Sequence, residues 1–351
     1  MEQVDVAVIG GGQSGLAAAH ALRGQGLQPV VLEASEQAAG SWPRYYDSLT
    51  LFSPARYSSL PGRPFGGDPD RYPHRDEVVA YLLRCADELD AEIRTRTRVR
   101  DVHLQDGTFT LSLESDRKLA ARAVIAATGT FGRPYRPDLP GLRTYTGTLL
   151  HAADYHAPEP FDGQRVAVVG AGNSAVQIAA ELARRARVTL VSRHPVRFAR
   201  QRTLGRDLHW WLARTGLDTL PVGRFLSAPP TQLVIDDGRY RAAVNSGRPD
   251  RRPVFTGASG TKVTWADGTT EEVDTVLLAT GYRPDLGYLA PLGAIDATGH
   301  PRHREGMSLT HPGLAYVGLE WQRSLASNSL RGVERDAARA ARHIAAHLSR
   351  A

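Results

Sequence analysis

The sequence predicts an α/β chain built from two Rossmann-like dinucleotide-binding units, one inserted into the other, and three observations predict it. An apolar run, Val4–Ile9, leads into Gly10-Gly11-Gly12-Gln13-Ser14-Gly15. A second run, Arg165–Val169, leads into Gly170-Ala171-Gly172-Asn173-Ser174-Ala175. Two later hydrophobic stretches end alike, in Ala127-Thr128-Gly129 and Ala279-Thr280-Gly281. Each fingerprint reads as strand, tight turn and helix, the local geometry that seats a pyrophosphate on a helix N-terminus. The paired Ala-Thr-Gly ends mark the two crossings between the units.

In the first fingerprint Gly10 permits the turn, Gly12 lets the backbone approach phosphate, and Gly15 lets helix and strand pack closely. After Gln13 a helix is expected over about Ser14–Arg23, and Pro29–Leu32 is the second strand. It ends in Glu33-Ala34, and Glu33 lies 23 positions after Gly10, where a ribose-binding carboxylate belongs. A carboxylate there suits an unphosphorylated adenosine ribose, hence FAD or NAD. Next come Gly40-Ser41-Trp42 and a Pro-, Ser- and aromatic-rich loop running to Tyr72. A loop of that length beside a nucleotide site is expected to be functional. The pattern then predicts an amphipathic helix over 76–89 and strands between Arg94 and Leu113 that turn at Asp106-Gly107. A buried strand, Ala123–Ala127, and a proline-rich connection over 132–140 follow.

The second unit repeats the plan with a helix over 173–184 and a strand over 188–191. Ala175 takes the place of the third glycine. The second strand ends in Ser192-Arg193, with no carboxylate. A hydroxyl and a guanidinium suit a 2′-phosphate, so this site is expected to take NADPH, with NADH weaker. Residues 195–253 are irregular and arginine-rich, with a short helical piece over 207–212 whose Trp210 and Trp211 are expected to pack in a core. Lys262–Trp265 and Asp274–Ala279 read as strands joined at an Asp267-Gly268 hairpin turn. Strand Leu314–Val317 and an alanine-rich helix over 332–348 close the chain. The expected division is 1–150 plus 284–351 for the first domain and 151–283 for the inserted one.

Composition narrows the function. The chain has 351 residues, 42% of them hydrophobic, and no apolar run approaches a membrane span. Nothing resembling a signal segment precedes the first strand, so the expected location is the cytoplasm. The net charge of +6 comes almost wholly from scattered arginines, Lys118 and Lys262 being the lysines, which argues against nucleic-acid binding. There is one cysteine, Cys85. It excludes an internal disulfide and removes the cysteine pair with which two-nucleotide flavoenzymes pass electrons onward. No metal-ligand cluster is evident. Two nucleotide folds in one chain thus point to a flavoprotein that takes a hydride from nicotinamide.

Between the units lies Tyr145-Thr146-Gly147-Thr148-Leu149-Leu150-His151-Ala152-Ala153-Asp154-Tyr155. This segment resembles the FxGxxxHxxx(Y/F) signature of the flavin-containing monooxygenases, class B flavoprotein monooxygenases, with Tyr145 in place of Phe. Both fingerprints, Gly40-Ser41-Trp42 and Ala279–Tyr282 fall in that family's order, and the chain looks similar to its compact bacterial members associated with metal and arsenic resistance. The resemblance implies that NADPH reduces FAD and that a C4a-hydroperoxyflavin formed with O2 transfers one oxygen atom to a small soft nucleophile. The substrate atom would be N or S, an organoarsenical being included. Tyr155-His156 points to the N- and S-oxygenating branch. The resemblance leaves a homodimer open. Catalytic positions are expected at Phe52, Ser53, His151 and Tyr282. Further cofactor contacts are expected at Ala34, Ser41, Trp42, Val99, Ala127, Thr128, Gly129, Thr280, Gly281, Gly318, Gln322 and Ser329. The last helix, near Arg331, is expected to aim its positive end at the flavin. The chain departs from the family at Leu51-Phe52-Ser53-Pro54, where members carry an Asn beside the flavin. That departure keeps two other readings open: an NADPH oxidase or flavin-dependent reductase, and an NADPH-binding redox sensor.

Overall fold

In the computed structural model, which describes residues 1–60, 62–226, 230 and 233–350, each fingerprint strand lies inside its own parallel sheet. Glu2–Ile9 runs parallel to Pro29–Leu32 on one side and to Lys118–Ala126 on the other. Val6, Ala7, Val8 and Ile9 are all buried, because both faces of this sheet are covered; the run is therefore continuous in hydrophobicity rather than alternating. Glu92–Arg94 extends the parallel order on one edge and Leu314–Tyr316 on the other. The hairpin Val99–Gln105/Thr108–Leu113 turns at Asp106-Gly107 and joins Lys118–Ala126 antiparallel. His303–Arg304 and Met307–Ser308 complete nine strands.

The described helices are α1 (Gln13–Arg23), α2 (Arg75–Asp87), α3 (Asn173–Leu182), α4 (Leu208–Thr215), α5 (Arg239–Asn245) and α6 (Val333–Leu348). On one face of the first sheet, Leu16 and Leu22 of α1, Val78 and Leu82 of α2 and Ile344 of α6 pack on Val6, Val8 and Ile125. On the other face Leu111 and Leu289 pack on Ala7, Ile9 and Val124. Both ends of the chain thus build one layer structure. Among the described residues no helix is long and apolar enough to cross a membrane.

The second sheet has five parallel strands in the order Asp250–Pro253, Arg187–Ser192, Arg165–Val169, Thr275–Leu278, Thr148–His151. The two crossings between the sheets are bonded to each other. Arg133–Pro134 pairs antiparallel with Tyr282–Arg283, and Tyr135 N–H donates to Gly281 O at 2.9 Å. Two expectations are corrected. The Asp267-Gly268 turn joins Lys262–Thr264 to Thr270–Glu272, not to the strand after Asp274. That later strand, Thr275–Leu278, is apolar throughout and is buried in the parallel sheet, a place a hairpin partner cannot take.

The second correction concerns Trp210 and Trp211. No residue of α4 is buried, so neither indole is a core residue. The rings meet edge to face at 4.7 Å, the Arg206 guanidinium lies over Trp210, and Trp211 Nε1 donates to Thr203 O. Paired and capped in this way, they sit at the surface without needing a core. The helix begins at Asp207, whose carboxylate accepts from His209 N–H as an N-cap. Asp207 also accepts from His209 Nδ1, Tyr72 Oη and Gln201 Nε2, at 3.0, 2.7 and 2.7 Å. Burial pushes its pKa up, but the bonds from His209, Tyr72 and Gln201 outweigh burial and hold it down at about 2. Because the folded value lies below the unfolded one, this group adds stability above about pH 4 that is lost as pH falls through 2. Asp207→Asn should therefore cost about 2 kcal/mol at neutral pH and flatten the acid limb of stability below pH 4. Urea titrations at pH 7 and pH 3 check this; equal losses at both pH values would contradict it.

Candidate active site

The first turn is built by keeping side chains out. Gly10 has φ +106°, and a Cβ there would lie 2.8 Å from Ala127 O. A Cβ on Gly15 would lie 1.8 Å from Gly10 O, so α1 can rest on its own strand only with hydrogen at that position. Gly12 is the N-cap of α1 and no side chain caps the helix, which leaves the first-turn N–H groups for a ligand. Around this turn Ser14 is buried against Gly318, where a Cβ would stand 1.9 Å from Ser14 Oγ. Gln13 accepts from Trp42 Nε1 at 2.9 Å and donates to Asn328 O at 3.4 Å. Residues 318–328 and the 40–42 turn therefore meet at the mouth of α1.

Glu33 is buried at the end of its strand, with Oε2 accepting from Gly11 N–H at 2.6 Å and Oε1 from Ser35 N–H and Oγ at 2.7 Å. It faces the glycine turn directly, beside Ala34. Val99 is buried at the start of its strand. Thr128 Oγ1 reaches Asp285 O and Tyr288 Oη at 3.4 and 3.3 Å, and Gly129 takes φ +68° at the crossing. Ser329 donates to Ala326 O and accepts from Gly332 N–H just before α6. Gln322 is buried and turned inward, donating to Tyr316 O and accepting from Leu319 N–H. Its amide serves the chain rather than a cleft.

At the second turn Gly170 has φ +152°, and a Cβ would lie 2.3 Å from Ala279 O and 2.9 Å from Ala175 Cβ. Gly172, the uncapped N-cap of α3, is different: a Cβ there would meet nothing within 4 Å. Open space in front of a free helix N-terminus is what a pyrophosphate requires. Asn173 bridges to Leu233 O and Ile235 N–H, and Ser174 flanks the same turn. Ser192 Oγ donates to His194 O, whereas Arg193 is exposed and joins no ion pair among the described residues. These features fit two dinucleotides, one per unit, with the Glu33 carboxylate at the first turn and an exposed Arg193 at the end of the strand beside the second.

Between the turns runs an edge-to-face aromatic row. Trp42 meets Tyr45 at 5.4 Å, Tyr45 meets Phe131 at 6.4 Å, Phe131 meets Tyr282 at 5.6 Å and Tyr282 meets His151 at 5.0 Å. Burial raises the hydroxyl of Tyr45 to about 12, a Ser41 bond partly opposing it, and burial also raises that of Tyr282. His151 is fully buried, its Nε2 bonded to Gly281 O at 3.1 Å and its Nδ1 accepting from Ala153 N–H at 3.0 Å. Burial lowers its pKa, so the ring is neutral with the proton on Nε2. Thr280 Oγ1 donates to Tyr135 O across the same crossing.

The rest of the signature segment is also spent on bonds between elements. Tyr145 Oη donates to Val273 O, Tyr155 Oη to Glu181, and His156 O accepts from Asp47 N–H. Phe52 and Ser53 part company. Phe52 is 42% exposed, its ring stacked on His209 at 6.3 Å, and its carbonyl accepts from Gln201 Nε2. Ser53 Oγ turns into its own loop, against Ser58 Oγ. Arg331 pairs with Asp218 just ahead of α6, so its charge already has a partner.

Sequence reasoning missed Tyr45, Phe131, Gln201 and Asp207. The first two lie in irregular segments, and their only signal is an aromatic residue beside a motif. The last two carry no signal, because tertiary packing alone brings them to Phe52.

The two glycines of the second turn should separate fold from ligand. Gly170→Ala should destabilise the protein by more than about 2 kcal/mol, since backbone cannot yield by 1 Å. Gly172→Ala should leave the melting temperature nearly unchanged and weaken nicotinamide-nucleotide binding, measured by titration calorimetry. Similar melting losses for both would refute the distinction.

The model of the family described as pyridine nucleotide-disulphide oxidoreductase matches residues 7–215. An uncharacterized oxidoreductase, CzcO-like, of Geobacillus kaustophilus is 30% identical over 95% of this chain and 96% of its own length. The indole-3-pyruvate monooxygenase YUCCA1 of Oryza sativa subsp. japonica is 30% identical, over 80% of this chain and 77% of its own. A solved flavin-containing monooxygenase from Stenotrophomonas maltophilia superposes with a TM-score of 0.87 at 35% identity, covering 99% of this chain and all of that one. With two dinucleotide turns, a bonded pair of crossings and these relatives, the chain belongs to the flavin-containing monooxygenases within the pyridine nucleotide-disulphide oxidoreductase family, an FAD-dependent oxidoreductase that uses NADPH.

Proposed function

We propose that this protein transfers one oxygen atom of O2 to a small soft nucleophile, a nitrogen, sulfur or organoarsenical centre, at the expense of NADPH. FAD is assigned to residues 1–150 and 284–351 and NADPH to 151–283, the strand Thr148–His151 lying across that boundary as an edge of the second sheet. The observation that carries the reading is Cys85. It is the chain's one cysteine, it is buried in α2, and burial pushes its thiol pKa up. A reduced flavin here has no internal dithiol to pass electrons to, so its acceptor comes from outside the chain, and this reading takes it to be O2. Bound flavin would supply hydride acceptance from NADPH and delivery of oxygen.

The chain's own part is to bind, orient and exclude water. The Gly10–Gly15 turn and the α1 N-terminus hold the FAD pyrophosphate, and Glu33 sits where the adenosine ribose docks. His151 acts as a positioning residue: its Nε2 proton stays on Gly281 O and fixes the crossing that carries Tyr282. The aromatic row from Trp42 to Tyr282 would line one side of the site where the two cofactors meet, with Phe131, 38% exposed, at its open face. Gly12→Val should yield protein without flavin, because the added side chain presses on Gly40 Cα, already 3.3 Å from a Cβ, and fills the phosphate space. Purified variant retaining a full flavin absorbance would refute this.

Arg193→Ala should raise the Michaelis constant for NADPH roughly 10- to 100-fold, one charge-assisted contact being lost, and leave that for NADH nearly unchanged. Equal damage with both nucleotides would assign Arg193 a structural role.

One observation favours partial oxidase behaviour. The Leu51–Pro54 loop lacks the amide that the family carries there, and its Phe52 stands 42% exposed, so this reading takes the flavin side of the loop to be less screened from water. The protein should release hydrogen peroxide when given NADPH alone, less so with a true substrate, and Phe52→Asn should lower the peroxide released per NADPH consumed. Full coupling in the unmodified protein would remove this second reading.

A further inference from the structure

Residues 201–226 leave the second sheet, carry α4 across the surface and make buried bonds to the first unit at two separate places. At one end Gln201 Nε2 donates to Phe52 O at 2.8 Å and to Asp207 at 2.7 Å, Tyr72 Oη donates to the same carboxylate, and the Phe52 ring stacks on His209. At the other end Asp218, 3% exposed, pairs with Arg331, and its carbonyl accepts from Ala326 N–H at 2.9 Å. Gly223 N–H donates to Arg323 O at 2.8 Å, in a contact so close that a Cβ on Gly223 would lie 2.1 Å from Trp321 O. Arg224 reaches Glu305, which also holds Arg339 of α6. Between the anchors stands α4, about 12 Å long, with no buried residue of its own. A surface helix lacking a core face is held by its ends, and both ends here are carboxylates of the second unit bonded to the first.

We propose that Asp207 and Asp218 are positioning residues for the flavin reaction. They fasten one segment of the nicotinamide-binding unit to two walls of the flavin site, Asp207 to Tyr72 and, through Gln201, to Phe52 of the 51–54 loop, and Asp218 to the 321–331 segment. Resting on the two-cofactor reading above, the consequence is that the closed arrangement that screens the flavin from water is set by this bridge as a unit. Each wall has local bonds, Leu51 N–H to Pro73 O in one and Arg323 to Asp336 in the other, but the 51–54 loop has no strand pairing of its own and 321–331 is turn and bend, so the bridge adds the contacts that join them. Releasing one anchor should loosen the other through α4, a two-turn helix with no fully buried residue of its own.

The test uses full-length, FAD-loaded protein and three variants: Gln201→Ala, Asp218→Asn and the double variant. Flavin content and far-UV circular dichroism establish that each is folded; Asp218→Asn keeps the side-chain shape and Gln201→Ala removes no charge. Amide hydrogen exchange is read in peptides covering 50–56, 218–226 and 321–331. In Gln201→Ala exchange should rise about tenfold in 218–226 and 321–331, remote from the substitution, as well as in 50–56. The peroxide released per NADPH should rise with the Michaelis constant for NADPH unchanged, and the double variant should be no worse than the worse single one. Exchange confined to the peptide nearest each substitution, with additive effects in the double variant, overturns the proposal. Long-range loosening in a protein that transfers no oxygen to any amine or sulfide offered supports the bridge and sinks the monooxygenase reading instead.

Discussion

The structure depends on excluding side chains from two backbone contacts. At Gly15 a single methyl would stand 1.8 Å from Gly10 O, and at Gly170 one would stand 2.3 Å from Ala279 O. Neither clash can be relieved by a rotamer change, because the obstructing atom is backbone. These contacts let α1 and α3 start directly against their strands, which points each free helix N-terminus at the turn. The turns in turn set where Ala127 and Ala279 must end, and so where both crossings leave their sheets. The aromatic row and the bonded crossings are built outward from that spacing.

The signature segment between the units makes several bonds from one element to another. Tyr145 ties to Val273, His151 to Gly281, Tyr155 to Glu181, and the backbone carbonyl of His156 to Asp47. The rings of Tyr145, His151 and Tyr155 each spend their polar atoms on bonds within the chain. Their conjunction instead ties an edge strand of the second sheet to the loop that follows the first nucleotide turn. A motif of this kind marks a reaction class because it fixes how two cofactor-binding units face one another.

Local rules made the parallel strands, α1, α3, α6 and the Asp106-Gly107 hairpin legible, since each is encoded by contiguous apolar runs, glycine turns or a strong amphipathic period. The boundaries shifted by one or two residues, as at α3, which ends at Leu182. The Asp267-Gly268 hairpin was read with the wrong partner because Thr270–Glu272 is a short polar edge strand without apolar signal, while the neighbouring buried run looked more strand-like. Trp210 and Trp211 misled for the opposite reason. Large aromatics suggest a core, but here an arginine and each other supply the contacts a core would have given. Of the candidate site, the two glycine turns and the approach of Glu33 to the first of them were legible from spacing. The Tyr45–Phe131 contact and the network around Asp207 were not, because they join residues 86 and 149 positions apart, as Tyr45–Phe131 and Phe52–Gln201 do.

The first sheet draws its strands from both halves of the chain, with Leu314–Tyr316 parallel to Lys118–Ala126 and α6 packed with α1. During synthesis the ribosome releases the second sheet, which is contiguous from Thr148 to Leu278, while the first still lacks an inner neighbour and the cover of α6. The nascent chain therefore completes its middle before its beginning. For the interval in which residues 284–351 are being made, at about 5–20 residues per second, the apolar face of α1 is without its helical partner and open to chaperones.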